Sequence, residues 1–257
     1  MKLFIISLLI FTAYLSFYEH TSELTSLTSN PEPQEITFTT KDGVLIYGDY
    51  YNTGSEYPII LLFHQGGSNG RAEYTPIIPS LLKKNYNILT IDQRQGGQIY
   101  GGYNRTVAEL KTSYTYCEAY QDLESSLEYV QTLETGPVII WGSSYSASLA
   151  IQLAKKNTES VSAVLAFSPA SGGPMQDCRP DPFLENLNTP LLVLRPESEL
   201  EIGSAKAQFE LVEKHGHQTY IARHGTHGSS MLVDNRVEGS VEENWSAVIS
   251  FIEEATK

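Results

Sequence analysis

Pro137–Lys156 reads PVIIWGSSYSASLAIQLAKK and changes its period in the middle. Val138 to Trp141 is a short apolar run of β-branched and aromatic residues, the pattern of a buried strand. Ala147, Ala150, Leu153 and Ala154 recur at helical spacing. Between them stands Gly142-Ser143-Ser144-Tyr145-Ser146, one residue away from Gly-x-Ser-x-Gly. A sharp strand-to-helix turn of that kind holds its middle serine in a strained conformation with the hydroxyl exposed above the sheet edge. Strand and helix approach closely there, so the residues two places either side must be small, as Gly142 and Ser146 are. The helix opens right after the serine and aims free N–H groups at it. Ser144 is therefore the candidate nucleophile. A serine-rich helix cap has the same composition, so the rest of the chain has to supply partners.

Working outward, the same alternation of buried strand and amphipathic helix recurs. Upstream, Glu35–Thr40 and Val44–Tyr51 flank Asp42-Gly43, a hairpin signal. Ile59–Phe63 (IILLF) is apolar throughout, as in a strand covered on both faces, and ends in His64-Gln65-Gly66-Gly67. A helix is expected over Tyr74–Lys84, then a strand over Tyr86–Ile91 closed by Asp92-Gln93-Arg94. Gln95–Tyr116 has no clear period and is rich in glycine and tyrosine, and Cys117–Leu133 has a helical apolar face. Downstream, strands are expected at Val161–Phe167, Leu191–Leu194 and Thr219–Ala222, with helices over Ser204–Lys214 and Val241–Ala255. This order predicts an α/β fold with a mostly parallel central sheet and helices on both faces. Ligands in such sheets bind outside the carboxyl ends of the strands, where the three informative motifs all fall.

A serine nucleophile needs a base, and the base needs a carboxylate to orient it. His227 and His224 both lie in the glycine-containing loop after the last strand, and His227 lies further beyond the strand end. His215 and His217 flank the start of that strand, where surface or structural roles are usual. The acid should follow Leu191–Leu194, where Glu197, Glu199 and Glu201 compete. With Pro196 turning the chain, Glu199 is placed to reach back, with Glu197 second and Glu201 third. An oxyanion needs two N–H donors. Tyr145 offers one and Gln65 the other, while His64 shapes its loop by hydrogen bonding.

The 257 residues suit one α/β domain over 35–257, preceded by a signal-like or anchoring segment over 1–20 and a polar linker over 21–34. Leu3–Phe17 is apolar and follows Lys2, as in a secretory signal, though no clean cleavage site is present. The expected location is secreted, periplasmic or envelope-anchored. A net charge of −13 argues against nucleic acid and anionic membrane surfaces as partners, leaving a small molecule as the expected one and the N-terminal anchor as the membrane contact. No metal or cofactor motif is visible. Cys117 and Cys178 pair in an oxidising compartment or remain two thiols, and spacing does not decide between them.

In the order FHQGG, IDQRQGG, WGSSYS, LRPESE and GTHGSS, the chain from about 35 to 257 resembles the α/β-hydrolase superfamily, closest to its dienelactone-hydrolase-like and serine-aminopeptidase-like branches. The resemblance implies Ser144, Glu199 and His227 as nucleophile, acid and base, with Gln65 in the oxyanion hole. Ser146 stands where the second glycine is usual, and the acid is Glu where Asp is commoner. The short gap between Phe167 and Leu191 implies a minimal cap, with Gln95–Tyr116 as the pocket rim. The expected activity is hydrolysis of a carboxylic ester through an acyl-enzyme. A peptidase or amide hydrolase would use the same triad, and a silent binding protein the same fold.

Overall fold

The computed structural model describes residues 30–257. The apolar run over 3–17 and most of the polar stretch after it lie outside the described residues. Among the described residues, eight strands form one sheet: β1 (Gln34–Thr39), β2 (Leu45–Tyr51), β3 (Ile59–Phe63), β4 (Asn87–Asp92), β5 (Val138–Ser143), β6 (Ala163–Phe167), β7 (Leu191–Pro196) and β8 (Gln218–Ala222). Their spatial order is β1-β2-β4-β3-β5-β6-β7-β8. The first two are antiparallel to each other, β2 is antiparallel to β4, and every pair from β4 to β8 is parallel. This is the α/β-hydrolase architecture.

Period-two alternation sorts the central strands between two cores. Leu61, Phe63, Ile140, Val164, Ala166 and Val193 face one side. There they meet α4 (Tyr120–Val130), α5 (Tyr145–Lys156) and α7 (Gly203–Lys214) through residues such as Leu123, Leu149 and Phe209. Ile60, Leu62, Trp141, Leu165, Phe167 and Leu194 face the other, against α1 (Gly70–Tyr74), α2 (Ile78–Leu82) and α8 (Glu242–Ala255). Both faces are covered, which is why these strands read as unbroken apolar runs.

Three elements differ from the expected ones. The helix expected over Tyr74–Lys84 is two short helices. Asn69 caps the first, accepting from the Ala72 N–H at 2.9 Å, and Pro76 cannot continue it, so the chain restarts with Pro79 in the first turn of the second. The aperiodic segment 95–116 holds a short helix, α3 (Arg105–Glu109), capped by Asn104. Pro196 does not turn the chain: it is the last residue of β7, in register with Ala222, and a 3₁₀ turn over Glu197–Glu201 follows. Between β6 and β7 the chain makes only a 3₁₀ turn (Gly173–Cys178) and α6 (Asp181–Leu184). Cys117 and Cys178 form a disulfide, with Cα atoms 5.6 Å apart.

Candidate active site

Ser144 joins β5 to α5 at φ 61°, ψ −120°, in the left-handed region that a residue with a Cβ rarely adopts. Its neighbours hold it there. The Ser144 N–H donates to the Phe167 carbonyl at 2.8 Å, and its own carbonyl accepts from the Ala147 and Ala170 N–H groups at 3.0 and 3.1 Å. Gly142 is required by close approach, since a Cβ there would stand 2.5 Å from the Ser146 carbonyl oxygen. Ser146 does what a second glycine would not: its buried hydroxyl donates to the His64 carbonyl at 2.6 Å and accepts from Gln93 Nε2 at 2.7 Å. The elbow is thus tied to the loops after β3 and β4.

His227 stands in the loop after β8 with its imidazole half-exposed, and its Nδ1 is 2.6 Å from Glu199 Oε1. Glu199 is buried, whereas Glu197 and Glu201 face solvent. His224, at φ 54°, is exposed and packs beside Gly239. The His227 loop is pinned by two serines: the Gly228 N–H donates to Ser168 Oγ and the Ser229 N–H to Ser143 Oγ, both at 3.0 Å. Trp141 Nε1 donates to Ser229 Oγ at 2.8 Å. Gly228, at φ 67°, cannot carry a side chain, because its Cβ would fall 2.4 Å from Ser143 Oγ.

The second oxygen of Glu199 accepts from Arg195 Nη1 at 2.6 Å. Arg195, buried at the end of β7, also donates to the Pro169 carbonyl and to Gln208 Oε1. Burial pushes the Glu199 carboxyl up, but the hydrogen bond and charge of His227, then Arg195 and Ser168, outweigh it and hold the carboxyl below its usual range. Glu199 is therefore a carboxylate near neutral pH, the form that orients an imidazole.

The candidate oxyanion donors differ from expectation at one position. The Gln65 N–H is already used: it donates to Oε2 of the buried Glu73 at 2.9 Å. The N–H groups of Gly66 and Tyr145 have no acceptor among the described residues, and both residues line the pocket that holds Ser144 and His227. Gly66 thus replaces Gln65 as the second candidate donor, because a single N–H cannot serve both Glu73 and an oxyanion. Burial pushes the Glu73 carboxyl up. His64 shapes its loop with both ring nitrogens: Nδ1 donates to the Gln65 carbonyl at 2.8 Å, and Nε2 accepts from the Gln93 N–H at 3.1 Å. Burial, only partly offset by the Gln65 carbonyl, lowers its basicity.

The pocket beside Ser144 has a volume of about 190 Å³. From the expected rim, Gln95–Tyr116, it takes only Tyr116, whose ring lies 4.6 Å from that of Tyr145. Its other wall is Ala170, Gly172, Pro174 and Met175, from the loop after β6. Reading the sequence missed Arg195, Ser168, Glu73 and this wall. Two of them carried a visible signal: Arg195 is a charge at the end of an apolar strand, and Ser168 follows a strand end directly. Among the described residues, no group of three His, Cys, Asp or Glu is arranged to hold a metal ion.

Residues 58–196 match the family model for the alpha/beta hydrolase fold. Among solved structures, an esterase of Pyrococcus furiosus superposes with a TM-score of 0.66 at 18% identity, covering 87% of this chain and 92% of that one. Brefeldin A esterase, described as a bacterial homologue of human hormone-sensitive lipase, gives 0.69 at 14% identity, covering 91% and 80%. The acylaminoacyl peptidase of Pyrococcus horikoshii gives 0.64 at 17% identity, covering 89% of this chain and 42% of that longer one. At these identities the likeness is one of fold.

Proposed function

Since the chain belongs to the α/β-hydrolase fold family, we propose that it is a serine hydrolase that cleaves a carboxylic ester through an acyl-enzyme intermediate. One observation carries this reading: a serine on a left-handed strand-to-helix elbow shares a pocket with a histidine whose Nδ1 is held by a buried carboxylate. Ser144 Oγ attacks the carbonyl carbon while His227 Nε2 takes its proton, and Glu199 stabilises the imidazolium. The oxyanion accepts from the Gly66 and Tyr145 N–H groups. As the tetrahedral intermediate collapses, the C–O bond to the alcohol breaks and His227 returns the proton to the leaving oxygen. Water, deprotonated by His227, then attacks the acyl-Ser144 ester, releasing the acid and restoring the serine.

The test is labelling by a fluorophosphonate, read together with hydrolysis of p-nitrophenyl acetate and of the matching p-nitroanilide. Ester turnover and label, both lost in Ser144→Ala, are expected. An unlabelled, inert wild-type protein would sink the proposal, and faster turnover of the anilide would make the protein an amide hydrolase.

The protein is further proposed to work outside the cytoplasm. The apolar run over 3–17 supports this, as does the Cys117–Cys178 disulfide, a bond that persists in oxidising compartments. Fractionation that recovers the full-length chain, reduced, from the cytoplasm would refute it.

A further inference from the structure

The Cys117–Cys178 disulfide joins the two walls of the pocket beside Ser144. One wall is Tyr116, next to Cys117. The other is the segment carrying Gly172, Pro174 and Met175, whose 3₁₀ turn ends at Cys178. Tyr116 is further fixed from within. Its ring packs on that of Tyr145, and its hydroxyl lies over Gly66, where it would be 2.7 Å from an added Cβ. Met175 is buried, so that wall is backed by the core rather than by solvent.

The directions around Ser144 assign this space. A tetrahedral centre on Ser144 has three substituents besides Oγ. Its oxyanion faces the Gly66 and Tyr145 N–H groups, and its leaving oxygen must lie toward His227. The acyl chain is left with the remaining wall, formed by Tyr116, Ala170, Gly172, Pro174 and Met175, none of them charged. A cavity of about 150 Å³ takes a benzene ring, so about 190 Å³, shared with the reacting centre and its oxyanion, takes an acyl group of at most roughly six to eight non-hydrogen atoms.

Resting on the hydrolase reading above, we infer that the substrates are esters of short, uncharged acyl groups, and that the Cys117–Cys178 disulfide sets this ceiling by holding the two walls at a fixed separation. An anionic acyl group finds no cation in the wall, and it also meets a chain of net charge −13. A longer chain must either part the walls, which the disulfide resists, or leave its end in water and forgo the transfer gain.

The experiment is a series of p-nitrophenyl esters from acetate to decanoate, with the monosuccinate as the anionic member. It is run on wild type, on Cys117→Ser/Cys178→Ser and on Met175→Ala, with a melting curve for each. In wild type kcat/KM should rise by up to about fourfold per methylene while the chain is being buried, then fall at least about tenfold by decanoate. The monosuccinate should be poorer than the butanoate. In the double serine variant the decanoate-to-butanoate ratio should rise by about tenfold or more, the size of discrimination that one or two methylenes carry in a tight pocket. Met175→Ala, which widens the same wall with the disulfide intact, should raise the ratio too, and it carries the size claim if the double variant does not fold. A flat wild-type series, an unchanged ratio in a folded Cys117→Ser/Cys178→Ser variant, or an unchanged ratio in Met175→Ala where the double variant does not fold, overturns the inference. A wild-type protein that turns over no ester and takes no fluorophosphonate label instead defeats the hydrolase reading beneath it.

Discussion

Glu199 is held from both sides: Oε1 lies 2.6 Å from His227 Nδ1, and Oε2 accepts from Arg195 Nη1 at 2.6 Å. The charged and polar groups around it are Arg195 from β7, His227 from the loop after β8 and Ser168 from the loop after β6, with neutral Gln208 of α7 anchoring the guanidinium. A fixed cation this close favours the carboxylate and opposes any proton added to the Glu199–His227 pair. Replacing Arg195 by Gln removes the charge while keeping a hydrogen-bond donor. The acid limb of the kcat/KM–pH profile should then move up by about one to three pH units, since a unit charge about 4–12 Å away is worth about 1.4–4 kcal/mol at an effective dielectric near 20. Arg195→Lys keeps the charge and should leave the limb in place while lowering the rate through loss of the fork. Identical limbs in all three proteins would reduce Arg195 to a structural role.

The three glutamates after β7 separate cleanly. Glu197→Gln and Glu201→Gln alter exposed side chains and should leave turnover within about twofold, as surface substitutions usually do. Glu199→Gln should cost more than about a hundredfold, short of the roughly 10⁴-fold loss when the aspartate of a serine-protease triad is altered. If turnover survives in Glu199→Gln and collapses in another of the three, the orienting carboxylate has been misassigned.

Glu73 links stability to pH. Buried, with its Oε1 unpartnered among the described residues, it has its carboxyl pushed up by burial. Above pH ~4.5 the unfolded chain ionises this group readily, but the folded chain resists, so its contribution to stability falls as pH rises toward the folded pKa. Glu73→Gln keeps an acceptor for the Gln65 N–H and has nothing to ionise. The variant should melt near wild type at about pH 4 and increasingly above it as the pH rises, by about 2–4 °C for each kcal/mol of difference. A melting difference that does not vary with pH would mean that Glu73 does not titrate in the folded state.

Ser146→Gly restores the commoner elbow motif and should make the protein worse. It deletes the hydrogen bonds to the His64 carbonyl and Gln93 Nε2, leaving buried partners unsatisfied at a cost of about 1–3 kcal/mol. Calorimetry should show a melt lower by several degrees with no gain in kcat/KM. An unchanged melt would show that water replaces the hydroxyl.

The sequence by itself determined the sheet, the order of its strands along the chain and the elbow. Those features rest on local pattern: an apolar run such as Ile59–Phe63 or Leu191–Leu194 is too short for a buried helix and is bounded by proline, so it reads as a buried strand, and Gly142-x-Ser144 places two constraints within three residues. The same local reasoning failed at Tyr74–Lys84, where Pro76 and Pro79 outrank the helical spacing of Ile77, Ile78, Leu81 and Leu82. Tertiary structure decided whatever depends on distance between segments remote in the chain. Cys117 meets Cys178 across 61 residues, and the carboxyl group of Glu73 takes the N–H of Gln65 and leaves that of Gly66 with no acceptor among the described residues. Arg195, at the end of an otherwise apolar strand, looks like an ordinary boundary charge until α7 and the loop after β6 fold over it and leave Glu199 as its one anionic partner among the described residues. Hydrogen bonds and ion pairs form between groups a few ångströms apart, and only the folded chain sets that separation.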